Sequence, residues 1–280
     1  MSNAITITTL VENTVNIGGL RAEHGLSFLI RAAGRKLLFD TGQSDLLLHN
    51  AQKMGLALKG LDAIVFSHGH YDHIGGIEAV SGTAPQARFF AHPAVLAPKF
   101  TANLDGTSRF IGIAPSAGEL LRKSEPTITW TTKPTEVAPG IFVTGEIPRV
   151  NAFEETGGRF FLDAACTRPD PLIDDQALYF DTKNGLVVIL GCAHSGAINT
   201  MDYIASVTGG RPFDTIVGGM HLLAASPERI KFTIESLRRW APKRIIPAHC
   251  TGRSATAQLW TAFPGCCSTC PVGTSLVFQR

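Results

Sequence analysis

The sequence predicts an α/β fold, in which short apolar strands alternate with amphipathic helices. Three observations support this prediction. Apolar runs of strand length recur along the chain and are separated by turns and by segments of helical periodicity. No run approaches the ~18 consecutive apolar residues of a membrane-spanning helix. The chain has 280 residues, of which 44% are hydrophobic and 17% charged, so it can bury a sizeable core and is not intrinsically disordered.

The charge balance excludes several classes of partner. Lys and Arg number 25 and Asp and Glu 23, which leaves a net charge of +2 without a basic run. Nucleic-acid binding needs a positive stripe, so we expect neither a nucleic-acid nor a membrane partner. The amino terminus has no basic segment followed by an apolar one, so we expect no secretory signal, a cytoplasmic location and reduced cysteines.

The first ninety residues contain short β-branched and apolar runs typical of strands, together with two stretches of helical spacing. A conspicuous turn, Asp40-Thr41-Gly42, follows the third strand. The predicted strands are 4–11, 27–30, 36–39, 61–67 and 88–91, and the predicted helical segments are 45–58 and 74–80.

Residues 93–140 differ in character, because they carry six prolines, several glycines and weak periodicity. We interpret this stretch as a lid-like insertion within a single domain that spans residues 1–280. A plain surface excursion is the alternative. From residue 141 the strand–turn–helix rhythm returns, and 227–240 reads as a helix with Ser226 as its N-cap and Pro227 in its first turn.

Four apolar runs each end in a histidine: His68, His194, His221 and His249. A lone histidine is usually an ordinary core or surface residue. In open α/β sheets, however, ligands collect beyond the carboxyl ends of the strands. Four equivalent imidazoles therefore predict one shared site.

The segment His68-Gly69-His70-Tyr71-Asp72-His73 carries the strongest signal. In an extended stretch His68 and His70 point the same way, and a following helix can bring Asp72 and His73 to a second point nearby. Imidazoles with a carboxylate suit divalent metals such as Zn, and a pair of such ions can hold a hydroxide at neutral pH. Gly69 and the Gly75-Gly76 pair allow close backbone approach around the ligands.

HGHYDH resembles the HxHxDH signature of the metallo-β-lactamase superfamily. The resemblance spans nearly the whole chain and implies a four-layer αββα sandwich with metal at one edge of two packed sheets. It also implies that Asp40 supports the ligands from outside, that His249 is the last ligand, and that Asp72 both binds metal and orients the attacking water.

A narrower resemblance links FDTGQS, SHGHYDHIGG, DDQAL, LGCAHSG, GGMHL, AHCTG and CPVGT to a subgroup named for a dihydropterin ribofuranosyl-aminobenzene phosphate synthase. The chain departs from the commoner superfamily pattern in two places. The usual third histidine motif has no clear copy, and Asp174-Asp175-Gln176 occupies that stretch. The usual bridging Asp is replaced by Cys192, so either Cys192 bridges as a thiolate or, as we favour, His194 supplies the missing imidazole.

The expected metal ligands are therefore six residues, which hold one or two divalent ions: His68, His70, Asp72, His73, His194 and His249. Zinc is expected, with iron or manganese as alternatives.

Other polar residues near the predicted site are candidates for proton transfer or substrate contact. His221 is a candidate for proton transfer, substrate contact or metal binding. Arg109, Arg149 and the Ser195 turn before a helical run are candidates to bind a phosphate or carboxylate, with a solvated charge or an ion pair as the ordinary alternative. The Cys266-Cys267-Cys270 cluster is expected to hold thiols rather than a disulfide or a metal, and His24, His49 and His92 are expected to be ordinary.

The main functional hypothesis is a metallohydrolase, in which a metal-bound hydroxide attacks an ester, phosphoester or amide bond of a small molecule. Asp72 and His221 are the expected catalytic residues. A pterin-related transferase, implied by the subgroup resemblance, is the first alternative. A di-iron redox protein is the second, although the chain has no glycine-rich flavin motif.

Overall fold

Two β-sheets pack face to face in the computed structural model, which describes residues 4–103, 105–124 and 127–280. Residues 1–3, at the start of the predicted domain, lie outside the described residues. Residues 104, 125 and 126, within the stretch predicted to be an insertion, also lie outside them.

The strands of the described residues follow the predicted order closely, with additional short strands between residues 100 and 138. In chain order they are β1 (Ala4–Val11), β2 (Ser27–Ala32), β3 (Arg35–Phe39), β4 (Ala63–Val65), β5 (Arg88–Ala91), β6 (Phe100–Ala102), β7 (Ser108–Phe110), β8 (Ile128–Trp130), β9 (Thr135–Ala138), β10 (Ile141–Val143), β11 (Phe160–Phe161), β12 (Leu178–Thr182), β13 (Gly185–Leu190), β14 (Phe213–Gly219), β15 (Arg244–Ala248) and β16 (Ser275–Gln279).

The helices lie on the outer faces of the two sheets. They are α1 (Leu46–Lys53), α2 (Tyr71–Ile74), α3 (Ile77–Thr83), α4 (Pro115–Lys123), α5 (Ala197–Val207), α6 (Pro227–Trp240) and α7 (Arg253–Ala262), with 3-10 turns at Pro93–Leu96 and His249–Thr251. No helix within the described ranges combines the length and the apolar character needed to cross a membrane.

The described strands form two large sheets and a small one. The first sheet has the order β16-β1-β2-β3-β4-β5-β8 and the second β15-β14-β13-β12-β10-β9, while β11, β6 and β7 form the third. In the first sheet β3, β4, β5 and β8 run parallel to one another, as do β13, β14 and β15 in the second. The carboxyl ends of each parallel set therefore meet at one edge.

Three apolar clusters define four layers. Phe28 and Phe39 of the first sheet meet Phe180 and Val217 of the second in the central core. A second cluster joins the outer face of the first sheet to α1, α3 and α4, and a third joins the outer face of the second sheet to α5, α6 and α7. The αββα sandwich expected from the resemblance is confirmed.

Helix α6 begins where the sequence predicts it. The Oγ of Ser226 accepts a hydrogen bond from the backbone N–H of Arg229, and Pro227 occupies the first turn, where its missing N–H costs nothing. The predicted helix over 74–80 is instead two short helices, α2 and α3. A Cβ at Gly75 would lie 2.3 Å from the carbonyl oxygen of Gln43, and one at Gly76 2.4 Å from that of Thr41. The break therefore lets the turn after β3 pack tightly against this segment.

The stretch 93–140 is not one insertion between elements of the fold. Strands β8 and β9 within it belong to the first and second large sheets, respectively. The part that lies outside both sheets is the short hairpin of β6 and β7, which pairs with β11. Short half-buried strands such as β8 carry little periodic signal, so the sequence does not separate them from the hairpin.

Candidate metal centre

The predicted ligands lie together at the shared carboxyl edge of the two large sheets. His68 follows β4, and His70 is the N-cap of α2. Cys192 and His194 follow β13, His221 follows β14, and His249 follows β15. Four residues here have positive φ although they are not glycine: Asp40 (61°), Ala193 (53°), His221 (47°) and His249 (48°). Such conformations are held by surrounding structure and concentrate at functional sites.

A first group of ligand atoms comes from His68, Cys192 and His194, which are all buried. The Nε2 atom of His68 lies 3.0 Å from Nδ1 of His70, so His70 stands beside the same group. The ring centroid of His194 is 4.8 Å from that of His68 and 4.9 Å from that of His70.

A second group comes from His73, Cys192 and His249. The Nε2 atom of His73 lies 3.1 Å from the Sγ of Cys192 and 3.2 Å from Nε2 of His249. Oδ2 of Asp72 lies 3.2 Å from the same His249 nitrogen. Cys192 thus belongs to both groups, so the thiol and His194 stand together at the centre instead of being alternatives.

Hydrogen bonds on the far side of the rings fix which nitrogen faces the centre. Oδ2 of Asp40 lies 2.6 Å from Nδ1 of His73, and Ser67 donates to the same carboxylate from its backbone N–H and its hydroxyl. Nδ1 of His194 donates to the carbonyl of Thr156 at 2.8 Å. Asp40 therefore has the supporting position that the resemblance implies.

These residues fit a divalent cation. Nε2 of His194 is buried and has no hydrogen-bond partner within the described residues, and its lone pair is free because Nδ1 carries the proton. Imidazole nitrogens held by an outer carboxylate or carbonyl, together with a thiol, form the donor set that zinc prefers. The groups could hold one ion each.

Burial keeps most of these imidazoles neutral. Desolvation lowers the pKa of His70 to about 3 and holds the pKa values of His68 and His194 well below the usual range, and the crowding of several histidines adds to the effect. Desolvation also lowers the pKa of His249. A neutral imidazole offers the lone pair that a metal requires.

His73, Asp72 and Cys192 respond differently to the same burial. Desolvation lowers the pKa of His73, but the carboxylates of Asp40 and Asp72 outweigh it and raise that pKa to about 9. Desolvation opposes ionisation of Asp72, yet the charge of His73 and the close contacts with His24 and His249 hold its pKa well below the usual range. Desolvation and the neighbouring Cys250 raise the pKa of Cys192. A coordinated cation deprotonates such a thiol.

The sequence did not identify His24, which reaches the centre from the connection between β1 and β2. Its Nε2 lies 3.1 Å from Oδ2 of Asp72, and it forms a third candidate group with Asp72 and His249. His24 precedes a strand, whereas the four histidines that the sequence groups together each follow one. Because β1 and β2 are antiparallel, the start of β2 lies at the same edge as the end of β1. The antiparallel pairing of β1 and β2 was the feature from which His24 could have been predicted at this edge.

His221 lies against the first group. Its ring centroid is 4.4 Å from that of His194, and burial together with the Arg229 guanidinium lowers the pKa of His221 to about 4. Phe160 of β11 covers the same side, 5.1 Å from His70 and 5.2 Å from His194 between ring centroids. The small third sheet therefore forms one wall of the centre.

The predicted substrate contacts divide between two cavities. Arg109 lines a cavity of about 230 Å³ with the ligands, and its guanidinium stacks on Tyr71 at 5.6 Å. Arg149 and Ser195 line a separate cavity of about 240 Å³. The predicted anion site at the start of α5 is occupied by the chain itself. The N–H of Ser195 donates to Asp175, and Glu154 accepts from the N–H groups of Ile198 and Asn199.

The remaining histidines and cysteines lie elsewhere. His49 contacts the carbonyl of Gly19, and His92 pairs with Glu146. All six cysteines are free thiols in the structure, and in the described part of the chain none of Cys266, Cys267 and Cys270 joins a group that could hold a metal.

Comparison with known proteins agrees with this architecture. The sequence profile of the Metallo-beta-lactamase superfamily matches residues 20–193, more than half of the chain. The chain belongs to this superfamily. Among curated relatives of this superfamily member is a 7,8-dihydropterin-6-methyl-4-(beta-D-ribofuranosyl)-aminobenzene-5'-phosphate synthase from Methanocaldococcus jannaschii, which is 30% identical over 275 residues and 92% of each chain.

Two solved structures are similar to this chain in fold. A metal-dependent hydrolase of the beta-lactamase superfamily superposes with a TM-score of 0.84 at 30% identity, over 99% of this chain and 100% of that one. Zn²⁺-bound PqqB from Methylobacterium extorquens superposes with a TM-score of 0.59 at 15% identity, over 97% of this chain and 99% of that one. The second likeness concerns the fold alone.

Proposed function

We propose that the protein is a metal-dependent hydrolase that cleaves an ester, phosphoester or amide bond of a small molecule. The observation that carries this proposal is the pair of buried ligand groups that meet at Cys192. Nitrogen and sulfur ligands of this kind favour zinc, which is the ion we propose. The similar structure described as a metal-dependent hydrolase supports the same class of reaction.

His68, His70 and His194 would hold one ion, and Asp72, His73 and His249 the other, with Cys192 between them. A bound zinc ion lowers the pKa of a coordinated water and polarises the bond to be cleaved. Asp72 has a second carboxylate oxygen with which to orient the attacking water. A substrate with a phosphate or carboxylate would meet Arg109, which lines the same cavity as the ligands.

His221 is the proposed proton-transfer residue, because its imidazole lines the cavity and is neutral at physiological pH. A neutral imidazole can donate its proton to a leaving group or accept one from water. Phe160 limits the access of bulk water on that side of the centre.

The test combines metal analysis with turnover. Protein purified without chelator is assayed against phosphodiester, thioester and lactam panels, beside a double variant carrying His68→Ala and His70→Ala. We expect bound zinc and turnover of one panel in the wild type, and in the double variant the loss of turnover and of the ion assigned to His68, His70 and His194. His49→Ala, on α1 away from the cavity, is the control. Turnover that survives the double substitution would contradict the proposal.

A transferase is the second candidate, and the 30% identity to the methanogen synthase favours it specifically. In that reaction the site would organise a phosphate and a leaving group without delivering water. Product analysis in ¹⁸O-labelled water separates the two functions, because only hydrolysis places solvent oxygen in the product.

A further inference from the structure

A larger groove continues from the cavity of the metal centre. The cavity at the centre has a volume of about 230 Å³, and the groove about 600 Å³. Asn13, Leu223 and His249 line both, so the two spaces are neighbours. Sites for small organic ligands usually enclose about 300–1,000 Å³. The smaller cavity alone therefore suits only the reacting group of a substrate, and the remainder must extend into adjoining space.

Two large apolar side chains of the groove are exposed to solvent. Trp260 of α7 is 48% exposed and Leu223 is 69% exposed, and both line the groove. Pro247, Ala248 and Ala257 extend this surface. Single exposed apolar residues are common, but an indole and a leucine on one concave surface beside a reactive centre are typical of ligand sites.

Leu223 is held in place despite its exposure. Its backbone N–H donates to the carbonyl of Cys250 at 3.1 Å. A Cβ at Gly252 would lie 2.6 Å from Cδ1 of Leu223, so the leucine side chain packs directly on the glycine backbone. The fold itself therefore holds the backbone and one face of Leu223 in this wall, which reduces the ordering that a ligand must impose.

The charges along the groove select against a cationic ligand. Glu12 lines it, but both of its carboxylate oxygens are engaged, one by the N–H of His249 and the other by Thr14. Arg253 lines the groove and is exposed at its rim. A neutral or anionic ligand fits this balance.

We propose that this groove, defined by Leu223, Ala257 and Trp260, binds a flat aromatic or heteroaromatic ring of the substrate, neutral or anionic. The ring packs on the indole of Trp260 and the side chain of Leu223, while the reacting bond lies over the metal centre. This inference rests on the proposed function for the position of the reacting group, but the ring site is tested by binding alone.

The test uses two phosphonates that are not hydrolysed. Zinc-loaded protein is titrated calorimetrically with (naphthalen-1-ylmethyl)phosphonate and with methylphosphonate, which differ only in the ring. We expect the naphthyl compound to bind about tenfold more tightly, because its ring packs against Trp260. Trp260→Ala and Leu223→Ala are each expected to bring the ratio close to one. Val277→Ala, an exposed apolar residue of β16 outside the groove, should leave it unchanged.

Two variants are used so that a folding defect in one does not decide the result, and thermal melting identifies such a defect. Equal affinities in the wild type, no binding of either compound, or a ratio that both groove variants preserve would each overturn the proposal. A dimer that Trp260→Ala dissociates would overturn it too, since a second copy would then cover the groove. Ring preference without turnover contradicts only the hydrolase proposal, whereas turnover without ring preference contradicts only the groove.

Discussion

His24 Nε2 lies 3.1 Å from Oδ2 of Asp72, and the orientation of the Asn13 amide shows that His24 is the donor in this contact. The Oδ1 of Asn13 accepts a hydrogen bond from the N–H of Gly25, which fixes the orientation of the amide. The same oxygen lies 2.8 Å from Nδ1 of His249, and the amide nitrogen lies 3.4 Å from Nδ1 of His24. His249 therefore donates from Nδ1 and can bind metal through Nε2, whereas Nδ1 of His24 accepts from the amide nitrogen and Nε2 of His24 donates to Asp72.

The first prediction concerns His24 as a residue that positions Asp72. His24→Ala removes the donor to the carboxylate, so zinc affinity should fall by about 10- to 100-fold, as for other hydrogen bonds to metal ligands. Competition with a chromophoric chelator measures the change, and His49→Ala is the control. In the Co²⁺-substituted protein the absorption bands should keep their positions. Shifted bands would instead show that His24 is itself a ligand, and unchanged zinc affinity would contradict both roles.

The second prediction concerns Asp40, whose buried carboxylate contacts Nδ1 of His73 at 2.6 Å. Asp40→Asn removes the charge that raises the pKa of His73 and makes its imidazole a better ligand. We expect the ion held by Asp72, His73 and His249 to bind about 10- to 100-fold more weakly. Equilibrium dialysis with metal analysis measures this. Asp45→Asn, at an exposed position, should retain both ions, and equal behaviour of the two variants would contradict the prediction.

The sequence predicted those parts of the centre whose signal is local. The motif from His68 to His73 lies directly after a strand, and Ser226 with Pro227 marks the start of α6, so short-range chemistry was sufficient. His24 and Asn13 could not be predicted in this way. They meet His249 only because β1 and β15 end at one edge of the sandwich, and that pairing is separated by more than two hundred residues in the chain.

The place of Cys192 could not be predicted for a related reason. From the sequence, a thiol after a strand is as consistent with a small buried side chain as with a ligand. The sequence-based prediction treats Cys192 and His194 as alternatives for a single metal ligand. In the folded chain the tight turn through Ala193, at φ 53°, brings both side chains to the centre. Only the three-dimensional arrangement shows that the thiol lies between the two groups.

The third prediction concerns the thiol of Cys192. Cys192→Ala should lower the zinc content from two ions per chain toward one, because the residue belongs to both ligand groups. Cys192→Asp should restore the second ion, since a carboxylate can also bridge two cations. Cys270→Ala, which removes a buried thiol outside either group, is the control. A Cys192→Ala protein that keeps the zinc content of the wild type would show that the thiol is not a ligand.

The last prediction concerns Lys99, a buried cation that supports the loop of His68 and His70. Its Nζ donates to Asp170 and to Asp174 at 2.9 Å each, and the other oxygen of Asp174 accepts from the N–H of Gly69. Lys99→Met leaves both carboxylates buried without the cation that balances their charge, so the free energy of unfolding should fall by ~3–5 kcal/mol. Lys123→Met, in an exposed pair with Glu119, should change it by less than ~1 kcal/mol. Urea denaturation measures both.

The pH dependence of this difference has a definite sign. Burial opposes ionisation of Asp174, but Lys99 and the bond from Gly69 lower its pKa below the ordinary value of 3.8. Its contribution is therefore present above that pH and is lost as the pH falls through the lower folded pKa. Burial opposes the charge of Lys99, but the two carboxylates raise its pKa above 10.5, so its contribution is lost only as the pH rises further. The difference between wild type and Lys99→Met should thus be constant from about pH 5 to pH 9 and shrink below pH 4. A difference that grows in acid would show that the ion pair is not its source.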